Sequence, residues 1–456
     1  MKKPLLFIFT LLSTGLYAQE HFSGIMTSKR TGIVNASVNP AELTNIQNNF
    51  EINVFSFSTN ISNNKISISD LTNSDEDFED LIFSGSEPVN MNADIEILGP
   101  GVAFKLDKLE KWAFAVTTSA KVKANIVDVD TDLGRALTVD PVLGTELLAQ
   151  INSNYNQRVT STAWGELGFS AARDIFENNL HKFSAGVTFK LIFPGTYANI
   201  AADQFKGTVA TDIVNQQVYL TDASANVNIA YSGALAEGFD DMSDYTSFFA
   251  GGLNGFSTDI GFNYQWKDVN SNDDNAYKLN AGLAFRNMGK MTFKDDNNES
   301  KQYKLNVPDG EFLDLTQFED VENFDDLEDI IEDNPQYFQI INTAKNFKAK
   351  MPALVSGYAD YNVYGRWNAT VYFQQKLNKD NKDGQIAVQN TLSLTPRYTT
   401  NSFEVYAPLS NNEISGFTAG IGFRIGVFYL GSGSVITAAI TDSKQADLYF
   451  GFRFGL

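Results

Sequence analysis

From residue 50 to the end of the chain, apolar side chains return at every second position in runs of ten or more residues. In "STDIGFNYQWK", Ile260, Phe262, Tyr264 and Trp266 share one face, and Asp259, Gly261, Asn263, Gln265 and Lys267 share the other. "HKFSAGVTFKLIF" sets Phe183, Ala185, Val187, Phe189 and Leu191 against Ser184, Gly186, Thr188 and Lys190. "KLNAGLAFRNMG" and "RWNATVYFQQK" repeat the scheme. Successive side chains of a strand point to opposite faces, so these are strands with one apolar and one polar side. A soluble sandwich also alternates, but its strands average about 5–6 residues. A tilted membrane strand needs about 9–11. The length predicts an all-β fold: a transmembrane antiparallel β-barrel of about 14 strands.

Hydropathy alone misses such a barrel, because polar lumen-facing residues dilute the apolar ones. The first residues, MKKPLLFIFTLLSTGLYAQE, read as a secretory signal over 1–18: basic Lys2 and Lys3, an apolar core from Leu5 to Leu16, and cleavage after Ala18. No later run is long and apolar enough for a membrane helix. The chain has no cysteine, which removes lipid anchoring, disulfides, thiolate metal sites and a Cys nucleophile. Its formal charge of −21 argues against nucleic acid as a partner, since phosphate binding needs a concentrated basic surface.

Connections fall into two classes. Short ones include "LDKLEK" (106–111), "RDIFENNLH" (173–181) and "NVYG" (362–365), and long ones span about 62–92, 125–158, 194–253 and 289–351. Their alternation fits short periplasmic turns and long external loops, with both termini periplasmic and an even strand number. The expected strands lie near 50–61, 93–106, 111–124, 159–173, 182–193, 254–266, 276–288, 353–363, 367–377, 386–397, 401–409, 414–425, 426–437 and 445–456. Residues 206–230 are too polar for lipid and are expected as an external hairpin. Residues 311–334 carry eleven carboxylates and no Lys or Arg. There Leu327, Ile330 and Ile331 suggest a short amphipathic helix on a solvated loop. A cation or cationic-partner site is the sharper reading of that composition, but no calcium-loop spacing accompanies it.

Between signal and first strand, residues 19–49 contain "NASVNPAEL", with Asn39, Pro40 and Ala41 at its centre. An Asn-Pro-Ala box here resembles the long-chain fatty-acid transporter (FadL-like) family of outer-membrane barrels. It also resembles their Bacteroidetes-type relatives, the PorV-like type IX secretion barrels and a related family of uncharacterised function. "LAFRNMG" (283–289), "GIGFRIGVFYLGSG" (420–433) and "ADLYFGFRFGL" (446–456) look most like the last. The resemblance implies a lumenal hatch over 19–49, carrying Asn39, Pro40 and Ala41, inside a barrel over 50–456. A lumen of this width independently needs filling, because wall side chains cannot reach across it.

No catalytic constellation is visible. His21 and His181 lie outside any Gly-x-Ser-x-Gly or His-Glu-x-x-His context, and no phosphate-binding loop occurs. Neither an enzyme nor a cofactor is expected. Lumen-facing Lys190, Arg286 and Arg424 read as answers to an acidic interior. Two functions remain: a FadL-like channel for a hydrophobic small molecule, or a PorV-like scaffold that binds exported proteins or secretion machinery. For the channel, Phe239, Tyr245, Phe248 and Phe249 are candidate ligand-lining residues. The final strand places Leu448, Phe450, Phe452, Phe454 and Leu456 toward outer-membrane lipid, paired with the first strand. Its aromatic pattern resembles the signal read by barrel-assembly machinery, although it ends in Leu rather than Phe or Trp.

Overall fold

The computed structural model describes residues 21–455, apart from 74–77, 107–110, 139–147, 213–216, 234–251, 270, 272–275, 295–298, 319–320 and 322. The strands in chain order begin with β1 (Phe50–Asn63), β2 (Val89–Lys105), β3 (Trp112–Val129), β4 (Leu148–Asn152), β5 (Asn156–Glu177), β6 (His181–Asp212), β7 (Gln217–Ser232) and β8 (Gly255–Lys267). Next come β9 (Tyr277–Phe293), β10 (Glu299–Val307), β11 (Leu313–Asp314), β12 (Phe338–Ala344), β13 (Phe347–Lys350), β14 (Leu354–Tyr364), β15 (Trp367–Lys376) and β16 (Thr391–Thr399). The last are β17 (Phe403–Tyr406), β18 (Leu409–Asn412), β19 (Gly416–Ala419), β20 (Ile421–Ile425), β21 (Phe428–Ser432) and β22 (Gln445–Gly455).

A single closed antiparallel wall runs through these strands. Its order is β1, β2, β3, β5, β6, β8, β9, β14, β15, β16. β17 and β18 then form one strand interrupted at Ala407 and Pro408, and β19 with β20 one interrupted at Gly420. Pro408 cannot donate to a ladder, but its carbonyl accepts from Gly420 N at 2.9 Å. β21 and β22 complete the circuit, and β22 returns to β1 from Glu51↔Gly455 to Ser62↔Gln445. Fourteen strand positions result.

The two faces divide as the alternation requires. Phe169, Val187, Phe189, Phe262, Leu283, Phe373 and Phe452 project outward and are exposed, whereas Ser170, Thr188, Asn263, Gln374 and Gly451 between them are buried. A continuous outward band of large apolar side chains is incompatible with water and suits hydrocarbon. No helix among the described residues is long and apolar enough to cross a membrane. Of the closing strand, Leu448, Phe452 and Phe454 are exposed outside and Phe450 is half-buried; Leu456 lies outside the described residues.

Both termini of the wall, Phe50 and Gly455, lie at one end, with the short turns; the long connections lie at the other, the loop end. Here the structure corrects several boundaries. The strand expected at 386–397 is Thr391–Thr399, and residues 377–390 turn into the barrel instead. The strand expected at 426–437 is Phe428–Ser432, followed by a helix at Val435–Ile440. The loop expected at 125–158 is shorter, since β3 continues to Val129 and β5 begins at Asn156. Residues 206–230 are a hairpin beyond the wall, as their polarity suggested: β6 runs on to Asp212 and pairs with β7, which pairs with β10, which pairs with β12. This sheet has its own core of Phe205, Val209, Leu220, Leu305 and Leu313. The acidic segment supplies a helix, Phe324–Asp333, whose first turn is capped by Asn323 Oδ1 accepting from Asp326 N at 2.9 Å. Phe324 and Ile331 pack on Tyr231 and Tyr303, which leaves Asp325, Asp329, Glu332 and Asp333 exposed, while Glu328 is buried against Lys301 at 2.5 Å. Among the described residues, no group of three His, Asp or Glu side chains converges on a metal-sized site.

At the loop end, Asp442 ties the β1–β2 connection to β22. Its carboxylate accepts from the Ser69 hydroxyl, from Ser69 N at 3.2 Å and from Ser443 N at 2.9 Å. Hydrogen bonds from the Ser67 and Ser69 hydroxyls hold its pKa down to about 2. A carboxyl depressed in the folded state stabilises the fold above its ordinary pKa, and that contribution disappears as pH falls through about 2. Hydrogen exchange at Ser69 N, corrected for intrinsic rate, is expected to quicken as pH drops from about 4 toward 2, and Asp442→Asn is expected to abolish the pH dependence. Wall closure makes a harsher demand. Deleting 447–456 strips β1 and β21 of their shared partner, and the product is expected to lose the heat-modifiable mobility of a closed barrel.

Candidate functional site

Residues 21–47 lie against the inner face of the wall. Phe22, Ile25, Ile33, Val34, Val38, Leu43 and Ile46 are buried there with the inward tyrosines Tyr358, Tyr372, Tyr406, Tyr429 and Tyr449. The Asn-Pro-Ala box starts a short 3₁₀ helix, Pro40–Asn45. Asn39 Oδ1 accepts from Ala41 N at 3.0 Å, and Pro40 supplies the fixed φ of a first helical residue. Asn39 Nδ2 donates to Phe262 O at 2.8 Å on β8. Three adjacent strands meet the box with glycine. A Cβ on Gly186 or Gly261 would overlap Pro40 or Asn39, and one on Gly282 would overlap Tyr358 and Asn39. The polar-face glycines of β6, β8 and β9 thus permit backbone-close approach.

Two polar devices hold the segment. Basic wall side chains donate to its carbonyls: Arg286 to Ser37 O at 2.9 Å, Lys182 to Thr44 O at 3.0 Å, Lys105 to Ile46 O at 2.6 Å, Arg453 to Arg30 O at 2.7 Å, and Arg397 to Gly24 O. Wall carboxylates balance several of these cations, as in Arg453–Glu51 at 3.0 Å, Lys182–Asp174 at 3.3 Å and Arg397–Glu404 at 3.2 Å. Conversely, Glu42 in the segment receives four neutral donors: Asn263 and Asn280 at 2.9 Å each, Asn45 at 2.7 Å, and the Tyr358 hydroxyl. Buried charge is tolerable only when its lone pairs are spent in this way.

Toward the loop end, residues 377–390 cross inside the wall. Arg158 donates to Lys382 O and Gln385 O at 2.9 Å each, Gln389 Nε2 donates to Ser62 Oγ at 2.8 Å, and Gln385 bridges Lys350. Among the described residues, three cavities larger than a single water lie between this crossing segment, the N-terminal segment and the wall. The outermost has about 250 Å³ open to water centres, the next about 50 Å³, and the innermost about 70 Å³. The first two share Val388; the second and third share Glu96, Lys121, Arg286 and Asn287. They therefore lie in series.

The innermost cavity sits behind a break in the wall. On β2, pairing with β1 lapses between Asn53↔Gly101 and Ser56↔Leu98, and pairing with β3 jumps from Leu98↔Ser119 to Gly101↔Thr117. Gly99 and Pro100 are thus left out of both ladders. Their carbonyl neighbourhood is repaired by side chains: Asn53 Nδ2 donates to Leu98 O at 3.1 Å and Gly99 O at 2.9 Å, and Thr118 Oγ1 donates to Pro100 O at 2.9 Å. The cavity has two characters. Ile33, Val34, Ala36 and Leu98 form an apolar side. Opposite them, Lys121 pairs with Glu96 at 3.1 Å and Lys190 with Asp259 at 2.7 Å. "LGPG" at 98–101 was the sequence signal for this break, since Gly and Pro inside a strand mark bulges.

Other residues singled out by sequence scatter. Lys190 and Arg424 meet carboxylates, Arg424 at 4.0 Å from Glu404, while Arg286 meets neutral acceptors, Ser37 O and Gln374 Oε1. His181 Nδ1 bonds the Tyr264 hydroxyl at 2.8 Å near the terminal end. His21 bonds Ser58 Oγ at 3.0 Å and lies 3.9 Å from Asp94, a nucleophile-and-base pairing in outline. Ser58 is buried in the wall and is not among the residues lining the three cavities above, whereas His21 lines the second. Phe239, Tyr245, Phe248 and Phe249 lie outside the described residues.

No curated protein matches the chain. Among solved structures, it is similar to the "TodX deltaS2S3 mutant monoaromatic hydrocarbon channel" at 11% identity, covering 96% of this chain and 98% of the other, with a TM-score of 0.48. It is similar to a Pseudomonas aeruginosa FadL homologue at 10% identity, with coverages of 96% and 98% and a TM-score of 0.40. The Ralstonia pickettii toluene transporter TbuX gives 8% identity, 94% of each chain and a TM-score of 0.34. A family model described as "Family of unknown function (DUF5723)" matches residues 40–433. Since that match runs from Pro40 of the Asn-Pro-Ala box to Gly433 beyond β21, the protein belongs to this family of unknown function, DUF5723.

Proposed function

We propose that this barrel spans the bacterial outer membrane, with both termini periplasmic, and conducts a small molecule with a hydrophobic body. Residues 21–49 act as a hatch that stays seated. Cargo enters at the loop end, passes the crossing segment, and leaves sideways into the membrane through the break in β2. The observation that carries this reading is the innermost cavity, whose apolar side adjoins Gly99 and Gly101 where the wall ladders lapse. A hydrophobic molecule released there avoids water on the far side. The charged side of the same cavity favours cargo with a polar head over a bare hydrocarbon.

The break gives a direct test. A Cβ at Gly99 would lie 2.5 Å from Thr118 Oγ1, so Gly99→Val fills the gap from the wall side. Uptake of a fluorescent alkyl probe into vesicles bearing the barrel is expected to fall about tenfold, a 1.4 kcal/mol effect on passage. Uptake unchanged in a normally folded Gly99→Val barrel would exclude the lateral route. The seated hatch is tested through Glu42. Glu42→Ala leaves the Asn280 amide and the Tyr358 hydroxyl with unspent donors, and is expected to destabilise the folded barrel by about 2–4 kcal/mol, read from urea unfolding in detergent.

A further inference from the structure

The outermost cavity differs in chemistry from the two beneath it. It lies at the loop end, between the inner faces of β2 and β3 and the crossing segment 377–390. Amides and carboxylates dominate its wall, and they are held in fixed orientations. Asn90 Nδ2 donates to Asp128 Oδ1 and its carbonyl accepts from Asp128 N, both at 3.1 Å. Asn125 Nδ2 donates to Asn92, so the Asn125 carbonyl oxygen and the second oxygen of Asp128 remain unspent. Gln389 is 1% exposed, its Nε2 is held by Ser62, and its Oε1 has no hydrogen-bond partner. Asp380 Oδ1 likewise has none, while Lys376 pairs with Asp380 and, at 2.6 Å, with Glu413.

These groups narrow the ligand. Three carboxylates face one lysine, so an anion is disfavoured. A hydrophobic ligand would desolvate polar groups without bonding them. A bare metal ion lacks three converging His, Asp or Glu ligands among the described residues. What fits is a compact molecule offering several hydroxyls, each both donor and acceptor, with a cation tolerated beside Asp128. A space of about 250 Å³ is ample for one sugar ring, being large compared with the ~30 Å³ share of a water molecule. We propose that the loop-end cavity binds a neutral or amino-substituted saccharide through Asn125, Asp128 and Gln389. The site is independent of the lateral route proposed above and does not require the barrel to conduct its ligand.

Titration calorimetry on the full-length barrel tests this, in a detergent without a sugar head group, with glucose, glucosamine and glucuronate as probes. Glucosamine is expected to bind best, glucose next, and glucuronate at least about tenfold more weakly. Asn125→Leu and Gln389→Leu are each expected to weaken glucosamine about tenfold. Asp128 has φ 52°, a conformation asparagine also adopts, so Asp128→Asn keeps the backbone and is expected to shrink only the preference for glucosamine over glucose. An unaltered preference in that variant overturns the assignment, even if the leucine variants fold poorly. So does the absence of heat with glucose and glucosamine up to about 20 mM, or tightest binding by glucuronate.

Discussion

In hydrocarbon, a backbone donor or acceptor left without a partner costs several kcal/mol. Everything in this protein follows from closing the wall against that cost. β22 meets β1 over eleven residue pairs, from Glu51↔Gly455 to Ser62↔Gln445, so neither terminal strand retains an open edge. At the β2 break the Asn53 and Thr118 side chains take up the freed carbonyls, and between β17 and β18 the Pro408 carbonyl accepts from Gly420 N.

Closing fourteen strands creates a second demand, a wide interior lined by polar faces. The N-terminal segment meets it by matching wall groups one to one. Arginines and lysines of the wall reach its carbonyls, and amides of the wall reach its one deeply bonded carboxylate, Glu42. Tyrosines supply bulk with a polar tip, as when Tyr449 donates to Ser23 O at 2.6 Å while packing on Phe22. Glycine makes room for several of these rings: a Cβ on Gly431 would overlap Tyr449, and one on Gly451 would overlap Tyr429. The polar-face glycines are therefore the negative image of the interior.

That image could be read only in part from sequence. The wall was legible because one period, two residues, governs every strand and burial enforces it on both faces. The pairing of 445–456 with 50–61 followed from closure alone. Residues 386–390 were misread because Ile386 and Val388 alternate with Ala387 and Gln389 as a strand would. Inside a barrel, an extended segment tied by Arg158 and Ser62 satisfies the same pattern without joining the wall. Residues 435–437 were misread for the opposite reason, since Val435 and Ile436 favour a strand but follow Gly433 and Ser434, where the chain turns into a helix. The cavities had no linear signature at all, being made by residues from β2, β3, β6, β9 and two crossing segments.

Charge is distributed to match this division of space. Deep in the wall, acids and bases alternate between neighbouring strands, so Glu96–Lys121 and Asp259–Lys190 neutralise each other where water is scarce. The loop-end helix Phe324–Asp333 instead keeps Asp325, Asp329, Glu332 and Asp333 exposed to solvent and buries only Glu328, paired with Lys301. Arg286 stands between these regimes. It lines the two inner cavities and spends its guanidinium on Ser37 O and Gln374, neutral acceptors, in a lumen where its neighbours pair with carboxylates. Its positive field falls on the space shared by the two cavities, where Glu96 also lies and partly offsets it. The innermost cavity sets Glu96, Glu166 and Asp259 against Lys121, Lys190 and Arg286, whereas the outermost sets three carboxylates against one lysine.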